Sequence, residues 1–311
     1  MEPTTQISNA KTRIDPDAVL RFLQSTFDSA IESVAPLTGG EHSQAFSFLS
    51  KGNPLVVRVD KADKSFRKDS FAFDHFASSH LRIPKIHKII QMSHDLFICI
   101  SEKAEGIHLS KVSKDVAALL MPRVLSLFEA LEEIEVPRGE TFGPFDENGI
   151  ARFPSWKEAL LSIEHSTDYP WDEWFRSTCL EREIYQCLFK YLSTNVDQLP
   201  ELRRLVHGDI GMDNILTDGK EITAVLDWGQ ARYGDPVFDV AWLDLWWEQQ
   251  PFASLYREHA TRKDGRLSDF EIRLRWYSCW IGLTSLSFFA KTNQLSSYQW
   301  LKDRMKEKAL L

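Results

Sequence analysis

The feature that most constrains this chain is a short hairpin pattern in its second half. Two apolar runs, 215–217 and 222–226, flank the pair Asp218-Gly219, and Asp-Gly between apolar runs is among the strongest short-range signals for a β-hairpin. The chain therefore leaves and returns, which places Asn214 and Asp227 beside each other at the open end of the hairpin. Facing positions across such strands lie about 5 Å apart.

Asp209 lies five residues before Asn214, on the loop that leads into the hairpin. An amide oxygen and a carboxylate close together suit magnesium, which takes hard oxygen ligands and keeps sites for phosphate and water. We therefore predict that Asn214 and Asp227 bind magnesium and that Asp209 is the catalytic base beside them. The order Asp, Asn, Asp matches the protein-kinase template for phosphoryl transfer. The alternative is a surface hairpin with scattered polar residues. His207 is predicted to orient the loop as a structural residue.

The first hundred residues predict a small antiparallel sheet that carries one helix. Apolar strands are expected over 45–49, 55–59, 85–90 and 96–100, with a helix over about 66–80. Most of the remaining chain predicts helices, near 114–134, 155–164, 180–193, 236–249 and 268–291. The expected fold class is α+β, a bilobal protein-kinase-like fold. Its parts are a nucleotide-binding N-lobe (1–101), a hinge (102–106) and a helical C-lobe with the acceptor site (107–311).

The small lobe should supply the contacts to nucleotide phosphates. Gly39-Gly40 precedes the first long strand, and small residues there would let backbone N–H groups approach a triphosphate. Arg58 interrupts an otherwise apolar strand and needs a partner. That partner is either phosphate oxygen or Asp69 on the following helix, and Asp69 is also the residue expected to orient Arg58 toward a nucleotide. Arg58 stands where the kinase template has Lys.

The acceptor is predicted to be a small molecule rather than a protein. Protein kinases carry a long segment after the second metal-binding Asp, ending in Ala-Pro-Glu. Here Gly234-Asp235-Pro236 begins five residues after Gly229, and no Ala-Pro-Glu occurs. Residues 227–250 hold five carboxylates and four Trp against one Arg, which suits a polycationic amino sugar. The alternative is an amphipathic helix with its Trp residues in the core and its acids facing solvent.

Individual residues of this stretch receive different predictions. Trp242 and Trp246 are predicted to be core, and Asp239 is predicted to fix the catalytic loop. The expected acceptor contacts are Asp213, Asp244, Trp247 and Glu248.

Composition limits the partners and the compartment. Asp and Glu total 45 against 37 Lys and Arg, which gives a formal charge of −8. An acidic chain is a poor binder of nucleic acid or of an anionic membrane. No apolar run reaches the roughly 20 residues that a membrane span needs, and the start lacks the apolar segment of a signal peptide. The four cysteines form no paired spacing and predict buried thiols in a reducing compartment. We expect a cytoplasmic monomer without nucleic-acid or membrane partners.

These motifs give the chain a family resemblance. It resembles the aminoglycoside phosphotransferases, and among them those that act on hygromycin B, over residues 16 to about 245. The similarity rests on GGEHSQAFSF, VVRV, HFASSHLRIPKI, FGPFDENGI and, above all, LVHGDIGMDNILTDGKEITAVLDW. It implies a kinase-like fold with Asp209 as catalytic base and Asn214 and Asp227 as magnesium ligands. It also implies that Arg58 and Ser43 contact the phosphates and that Glu102 and Ala104 contact the adenine.

The resemblance implies ATP- and Mg²⁺-dependent O-phosphorylation of a hygromycin-like aminoglycoside, which would inactivate the drug and confer resistance. The same catalytic loop occurs in relatives that act on macrolides, choline, sugars and amino alcohols, so a metabolic kinase of another hydroxylated small molecule is the alternative. A nucleotide-binding scaffold without activity is a third reading. Such scaffolds usually lose the base or the metal ligands, and all three residues are present here.

Overall fold

A computed structural model describes residues 14–37, 43–260 and 267–311. Ten helices lie in these ranges: α1 Pro16–Thr26, α2 Lys64–Phe76, α3 Lys114–Glu133, α4 Trp156–Leu161, α5 Trp171–Ser177, α6 Arg182–Asn195, α7 Val237–Trp246, α8 Phe252–Ala260, α9 Phe270–Lys291 and α10 Leu295–Glu307. The strands are β1 Ala35–Leu37, β2 Gln44–Ser50, β3 Asn53–Asp60, β4 Ile86–Ser93, β5 Leu96–Glu102, β6 Ile107–His108, β7 Gly143–Pro144, β8 Arg204–Val206, β9 Ile215–Thr217, β10 Ile222–Val225 and β11 Arg232–Gly234. None of the described helices is long and apolar enough to cross a bilayer.

The N-terminal region is an antiparallel sheet in the order β1-β2-β3-β5-β4. Alternate residues of β2 and β3 are buried, as period-2 patterning predicts, and they pack with Val19 and Leu23 of α1 into a core of their own. Helix α1 begins at Pro16, whose fixed φ suits a first helical position. The sheet with one helix between its third and fourth strands confirms the α+β prediction.

The helical region is built on a second, larger core. Helix α9 runs through this core and packs against α7, α6 and α10. This region also contains two small sheets, ordered β10-β9-β6 and β7-β11-β8. The segment that holds Asp209 begins after β8, an edge strand of one small sheet, and ends at β9, the middle strand of the other, so each sheet fixes one end of it.

The cysteine prediction is half correct. Cys99 and Cys279 are buried, whereas Cys179 and Cys187 are exposed, and all four are free thiols. The two exposed residues flank the start of α6, whose apolar stripe faces the core and leaves these positions at the surface.

Candidate active site

The loop that carries Asp209 is fixed by the imidazole of His207. His207 is fully buried; its Nδ1 accepts from the Asp209 N–H at 3.3 Å, and its Nε2 donates to the Leu226 carbonyl at 3.0 Å. Burial lowers the pKa of His207 to about 4, so the ring is neutral at pH 7. It ties the loop that carries Asp209 to the end of β10, which agrees with the structural, loop-orienting role predicted for His207.

A second tether comes from α7. The Asp239 carboxylate accepts from the His207 N–H at 2.7 Å and from the Gly208 N–H at 2.9 Å. Burial raises the pKa of Asp239 to about 6, although these two hydrogen bonds favour the ionised form. Asp239 thus fixes the loop that carries Asp209, the segment that it was predicted to fix.

Asn214 joins the loop to the hairpin and keeps one oxygen available. Its Nδ2 donates to the Asp209 main-chain carbonyl at 2.8 Å and to Asp209 Oδ2 at 3.3 Å. The main-chain carbonyl of Asn214 accepts from the Leu226 N–H at 2.8 Å. This geometry directs both amide hydrogens toward Asp209. The Asn214 Oδ1 atom makes no hydrogen bond to a described residue and is the right donor for a hard cation.

Asp227 follows the hairpin directly, at the open end where the sequence predicted it. Its backbone is left-handed, with φ of 60°, which is uncommon for a residue other than glycine and is frequent at functional sites. The carboxylate is exposed, and Oδ1 accepts only a long bond of 3.4 Å from the Gly229 N–H. The described residues contain no cluster of three His, Cys, Asp or Glu side chains suited to a metal. A site formed by Asn214 and Asp227 fits magnesium, because this ion completes its shell with water and phosphate.

Arg58 pairs with Asp69, which confirms the predicted partnership. An Arg58 Nη atom lies 2.5 Å from Asp69 Oδ2, and both side chains are mostly buried. Burial is the largest single influence and would lower the pKa of Arg58, but the charge and hydrogen bond of Asp69, together with the charges of Cys99 and Asp227, outweigh it and raise that pKa. Asp69 Oδ1 also accepts from the Trp228 N–H at 2.8 Å. The pair therefore connects the sheet to the residue that follows Asp227.

Lys68 supports the same segment and was missed by sequence reasoning. Its Nζ donates to the carbonyls of Gly229 at 2.7 Å and Ala231 at 3.0 Å, and it lies 4.8 Å from the centre of the Phe145 ring. Burial lowers the pKa of Lys68 to about 7. The available signal was its place on the apolar face of α2, three residues before Phe71, where an exposed lysine is not expected.

Four other residues are predicted to bind the nucleotide, and they lie before β2, at the end of β5 or just after it: Gly40, Ser43, Glu102 and Ala104. Gly40 lies outside the described residues, and Ser43 directly precedes β2. Glu102 ends β5 and accepts from the Lys85 N–H at 3.3 Å. The main-chain N–H and C=O of Ala104 make no hydrogen bond to a described residue, so both are available to an adenine edge.

Two of the four expected acceptor contacts, Asp213 and Glu248, are exposed, the first on the loop before β9 and the second beside α10. The Asp213 carboxylate accepts from the Ser110 hydroxyl, and the Asp213 carbonyl accepts from His108 Nδ1 at 2.5 Å. Glu248 accepts from the Trp300 indole at 2.6 Å, and Trp300 stacks on Trp246 with ring centres 5.4 Å apart. Both carboxylates are held in place and face solvent.

The other two expected acceptor contacts, Asp244 and Trp247, are buried against other parts of the chain, which corrects the prediction that they face an acceptor. Asp244 is 6% exposed; its Oδ1 accepts from the Ala253 N–H at 2.9 Å, and its Oδ2 lies 2.5 Å from Lys308 Nζ. Trp247 is 1% exposed and stacks on Phe252. Helix α7 ends at Trp246, and α8 and the chain end cover the surface that an extended helix would have presented.

The segment after Asp227 is short and closed by a buried ion pair. Two nitrogens of Arg273, on α9, contact the Asp235 carboxylate at 2.8 and 2.5 Å, and the Tyr277 hydroxyl donates to it at 2.7 Å. Asp235 is fully buried. This arrangement leaves no long loop on which a peptide could dock, in agreement with the sequence-based argument for a small acceptor.

Comparisons with known proteins agree with this geometry. The family model described as "Phosphotransferase enzyme family" matches residues 33–270. A curated relative, hygromycin-B 4-O-kinase of Escherichia coli, is 32% identical over 297 residues, which cover 94% of this chain and 85% of the relative.

Solved structures show the same fold. The crystal structure of aminoglycoside phosphotransferase APH(4)-Ia superposes with a TM-score of 0.83 at 29% identity, covering 94% of this chain and 98% of that one. A thermostable mutant of the same enzyme, in ternary complex with AMP-PNP and hygromycin B, gives 0.81 at 28% identity, with coverage of 93% and 97%. An aminoglycoside 2'-phosphotransferase-IIIa bound to GDP gives 0.62 at 15% identity, a likeness in fold alone.

Proposed function

We infer that this chain, which belongs to the phosphotransferase enzyme family, transfers the γ-phosphoryl group of ATP to a hydroxyl of a hygromycin-like aminoglycoside. The observation that carries this inference is the Asn214 side chain. Both of its amide hydrogens point at Asp209, while its oxygen is left for a cation beside Asp227. The similarity to hygromycin-B 4-O-kinase supports the acceptor class.

Each side chain has a chemical task in this reaction. Asp209 orients the acceptor hydroxyl and accepts its proton, late in a largely dissociative transition state. Asn214 Oδ1 and Asp227 would hold magnesium, which neutralises charge on the phosphates when bound. Arg58 contacts the phosphates from the sheet, oriented by Asp69. The main chain at Glu102 and Ala104 binds the adenine, and Gly40 and Ser43 are the residues that we propose for binding the triphosphate.

The acceptor side combines acids and aromatic rings. Asp213 and Glu248 are exposed carboxylates. Trp242 and Trp246, which were predicted to be core, pack against the core but stay half-buried, with ring centres 6.2 Å apart. Such a surface attracts a polycationic sugar through ion pairs and cation–π contacts. Phosphorylation adds nearly two negative charges to the drug, which weakens its attraction to ribosomal RNA and confers resistance. We propose that the chain acts as a monomer in the cytoplasm, where ATP is available.

The test is ATP consumption with purified protein, magnesium and hygromycin B, with mass spectrometry of the product. Asp209→Ala should lower kcat by at least about a thousandfold while ATP affinity stays within about threefold, because the base touches the acceptor and not the nucleotide. Asp197→Ala is the matched control, since this carboxylate is 93% exposed. Retained turnover in Asp209→Ala would refute the role of the base, and wild-type protein that leaves hygromycin B unmodified would refute the acceptor.

One observation favours a second candidate. Burial of Asp244 and Trp247 removes two of the groups expected to bind a cation, which makes the acceptor surface less acidic than its sequence suggests. A metabolic kinase of a sugar, choline, an amino alcohol or a macrolide is the alternative on this fold. The same ATP-consumption assay over a panel of these acceptors separates the two functions, and growth of a sensitive bacterium on hygromycin B provides the independent readout.

A further inference from the structure

Lys68 of α2 binds the segment that follows Asp227. Its Nζ donates to the main-chain carbonyls of Gly229 at 2.7 Å and Ala231 at 3.0 Å. The segment includes a short 3₁₀ turn, Trp228–Gln230, and the last carbonyls of a helical turn have no partner within it. Lys68 therefore supplies donors that the backbone of the turn cannot supply.

The Lys68 side chain is held firmly in this place. It is 3% exposed, and its Nζ lies 4.8 Å from the centre of the Phe145 ring. Phe145 is itself buried and stacks on Tyr233 with ring centres 4.6 Å apart. The amino group thus has two carbonyls and one aromatic face as neighbours. Since a buried lysine is costly unless its hydrogen bonds are made, the side chain has little freedom to leave the carbonyls.

Gly229 connects Lys68 to the Asp227 carboxylate. The Gly229 N–H donates to Asp227 Oδ1 at 3.4 Å, and the carbonyl of the same residue accepts from Lys68. A Cβ atom built on Gly229 would lie 3.2 Å from Asp227 Oδ1 and 3.5 Å from Ser65 Cβ on α2. Gly229 is therefore close to both the Asp227 carboxylate and α2, and a change in its position would be felt by Asp227.

Asp227 needs support from its neighbours because of its backbone conformation. Its φ of 60° lies in the left-handed region, and a residue with a side chain persists there only when the surrounding contacts fix it. Three hydrogen bonds from α2 reach the residues that follow: Asp69 accepts from the Trp228 N–H at 2.8 Å, and Lys68 binds two carbonyls. These contacts fix the chain on the C-terminal side of Asp227.

We propose that Lys68 is a positioning residue for the metal site: by binding the carbonyls of Gly229 and Ala231, it holds the Asp227 carboxylate in the orientation that binds magnesium. The inference rests on the proposed function, because it presumes that Asp227 is a magnesium ligand. Groups that orient a metal ligand from outside the coordination shell change metal affinity about tenfold to a hundredfold when they are removed. Lys68 should therefore matter for magnesium far more than for the nucleotide itself.

The test is calorimetric binding of AMP-PNP over a series of magnesium concentrations and in EDTA. Lys68→Met keeps the bulk of the side chain and removes its donors. In this variant, the magnesium concentration at the midpoint of the gain in AMP-PNP affinity should rise at least about tenfold. The Kd of AMP-PNP in EDTA should stay within about threefold of wild type. Lys190→Met is the matched control, because Lys190 is exposed on α6, and it should leave both values unchanged.

Two further variants separate positioning from a general structural defect. In an Asp227→Asn background, Lys68→Met should shift the magnesium dependence by less than about twofold, because Lys68 acts through a carboxylate that is already lost. Lys68→Gln keeps an N–H donor on a shorter side chain and should raise the magnesium midpoint about threefold to tenfold. This variant decides the question if Lys68→Met fails to fold. In both Lys68 variants the acceptor KM should stay within about threefold of wild type.

The outcomes separate this inference from the proposed function. A wild-type AMP-PNP affinity that does not respond to magnesium removes the metal site, and the positioning role of Lys68 falls with it. A wild-type response that the Lys68 variants leave unchanged overturns the role of Lys68 alone. An equal loss of AMP-PNP affinity with and without magnesium also overturns it, because Lys68 would then support the nucleotide site as a whole. Wild-type protein that leaves hygromycin B unmodified overturns the acceptor, and the binding measurements still decide the role of Lys68.

Discussion

The Asp69 carboxylate connects Arg58 of β3 to Trp228, the residue that follows Asp227, and a single substitution can test this connection. Its Oδ2 pairs with Arg58 at 2.5 Å, and its Oδ1 accepts from the Trp228 N–H at 2.8 Å. Asp69→Asn keeps an oxygen for Trp228 and removes the charge that Arg58 needs. The substitution therefore isolates the electrostatic part of the link and preserves the backbone hydrogen bond.

The expected loss of unfolding free energy in Asp69→Asn follows from the burial of the ion pair. The side chains of Arg58 and Asp69 are 22% and 6% exposed, and breaking a buried ion pair by removing one partner typically costs about 3–5 kcal/mol. Because Arg58 keeps some contact with water, we expect a loss near the lower end, about 3 kcal/mol. An unpaired Arg58 can also turn away from the phosphates, so the ATP KM should rise at least about tenfold.

The assay is urea unfolding of wild type, Asp69→Asn, Arg58→Met and the double variant, with the ATP KM measured for each. The double-mutant cycle should give a coupling free energy of about 1.5–3 kcal/mol between the two residues. Arg67→Met, which breaks the more exposed pair with Asp63 on the same helix, is the control and should cost less than about 1 kcal/mol. A coupling below about 0.5 kcal/mol, with unchanged ATP KM, would refute the reasoning.

Three further predictions concern other parts of the site. Asp227→Asn should abolish magnesium-dependent turnover, measured as a magnesium titration of kcat; an unchanged titration would remove Asp227 from the metal site. Because burial lowers the pKa of His207 to about 4, the stability it contributes is fully present above about pH 6.5 and is lost as the pH falls toward 4. Relative to His207→Asn, the unfolding free energy of wild type should therefore drop by about 3 kcal/mol between pH 7 and 4, and parallel pH curves would contradict this. Gly234→Ala should cost about 1–3 kcal/mol in thermal unfolding, because the added Cβ would lie 2.6 Å from the buried Trp156 ring; a wild-type melting temperature would contradict it.

The parts of the site that could be predicted from sequence are those fixed by local chain geometry. The Asp-Gly turn sets the hairpin register, so Asn214 and Asp227 follow from residues within 14 positions of each other. Arg58 and Asp69 belong to one strand and the next helix, and a charge in an apolar strand demands a near partner. Period-2 and period-3.6 patterns likewise gave most of the strands and long helices.

The acceptor side could not be predicted in the same way because it depends on distant segments. The burial of Asp244 requires Lys308, 64 positions away, and Trp247 is covered by Phe252 after an early end of α7. Arg232 looked like the single cation in an acidic stretch, but it is buried, and it lies opposite Val206 because β11 pairs with β8. Sequence spacing carries no information about such pairings.

The Asp235–Arg273 contact also bears on how activity is controlled. In protein kinases, the corresponding stretch of chain is a loop whose order depends on phosphorylation. Here it is fixed to α9, the longest of the described helices, by an ion pair in which both side chains are buried. We therefore expect activity that does not require phosphorylation of this segment, with a rate that follows the amounts of enzyme and acceptor.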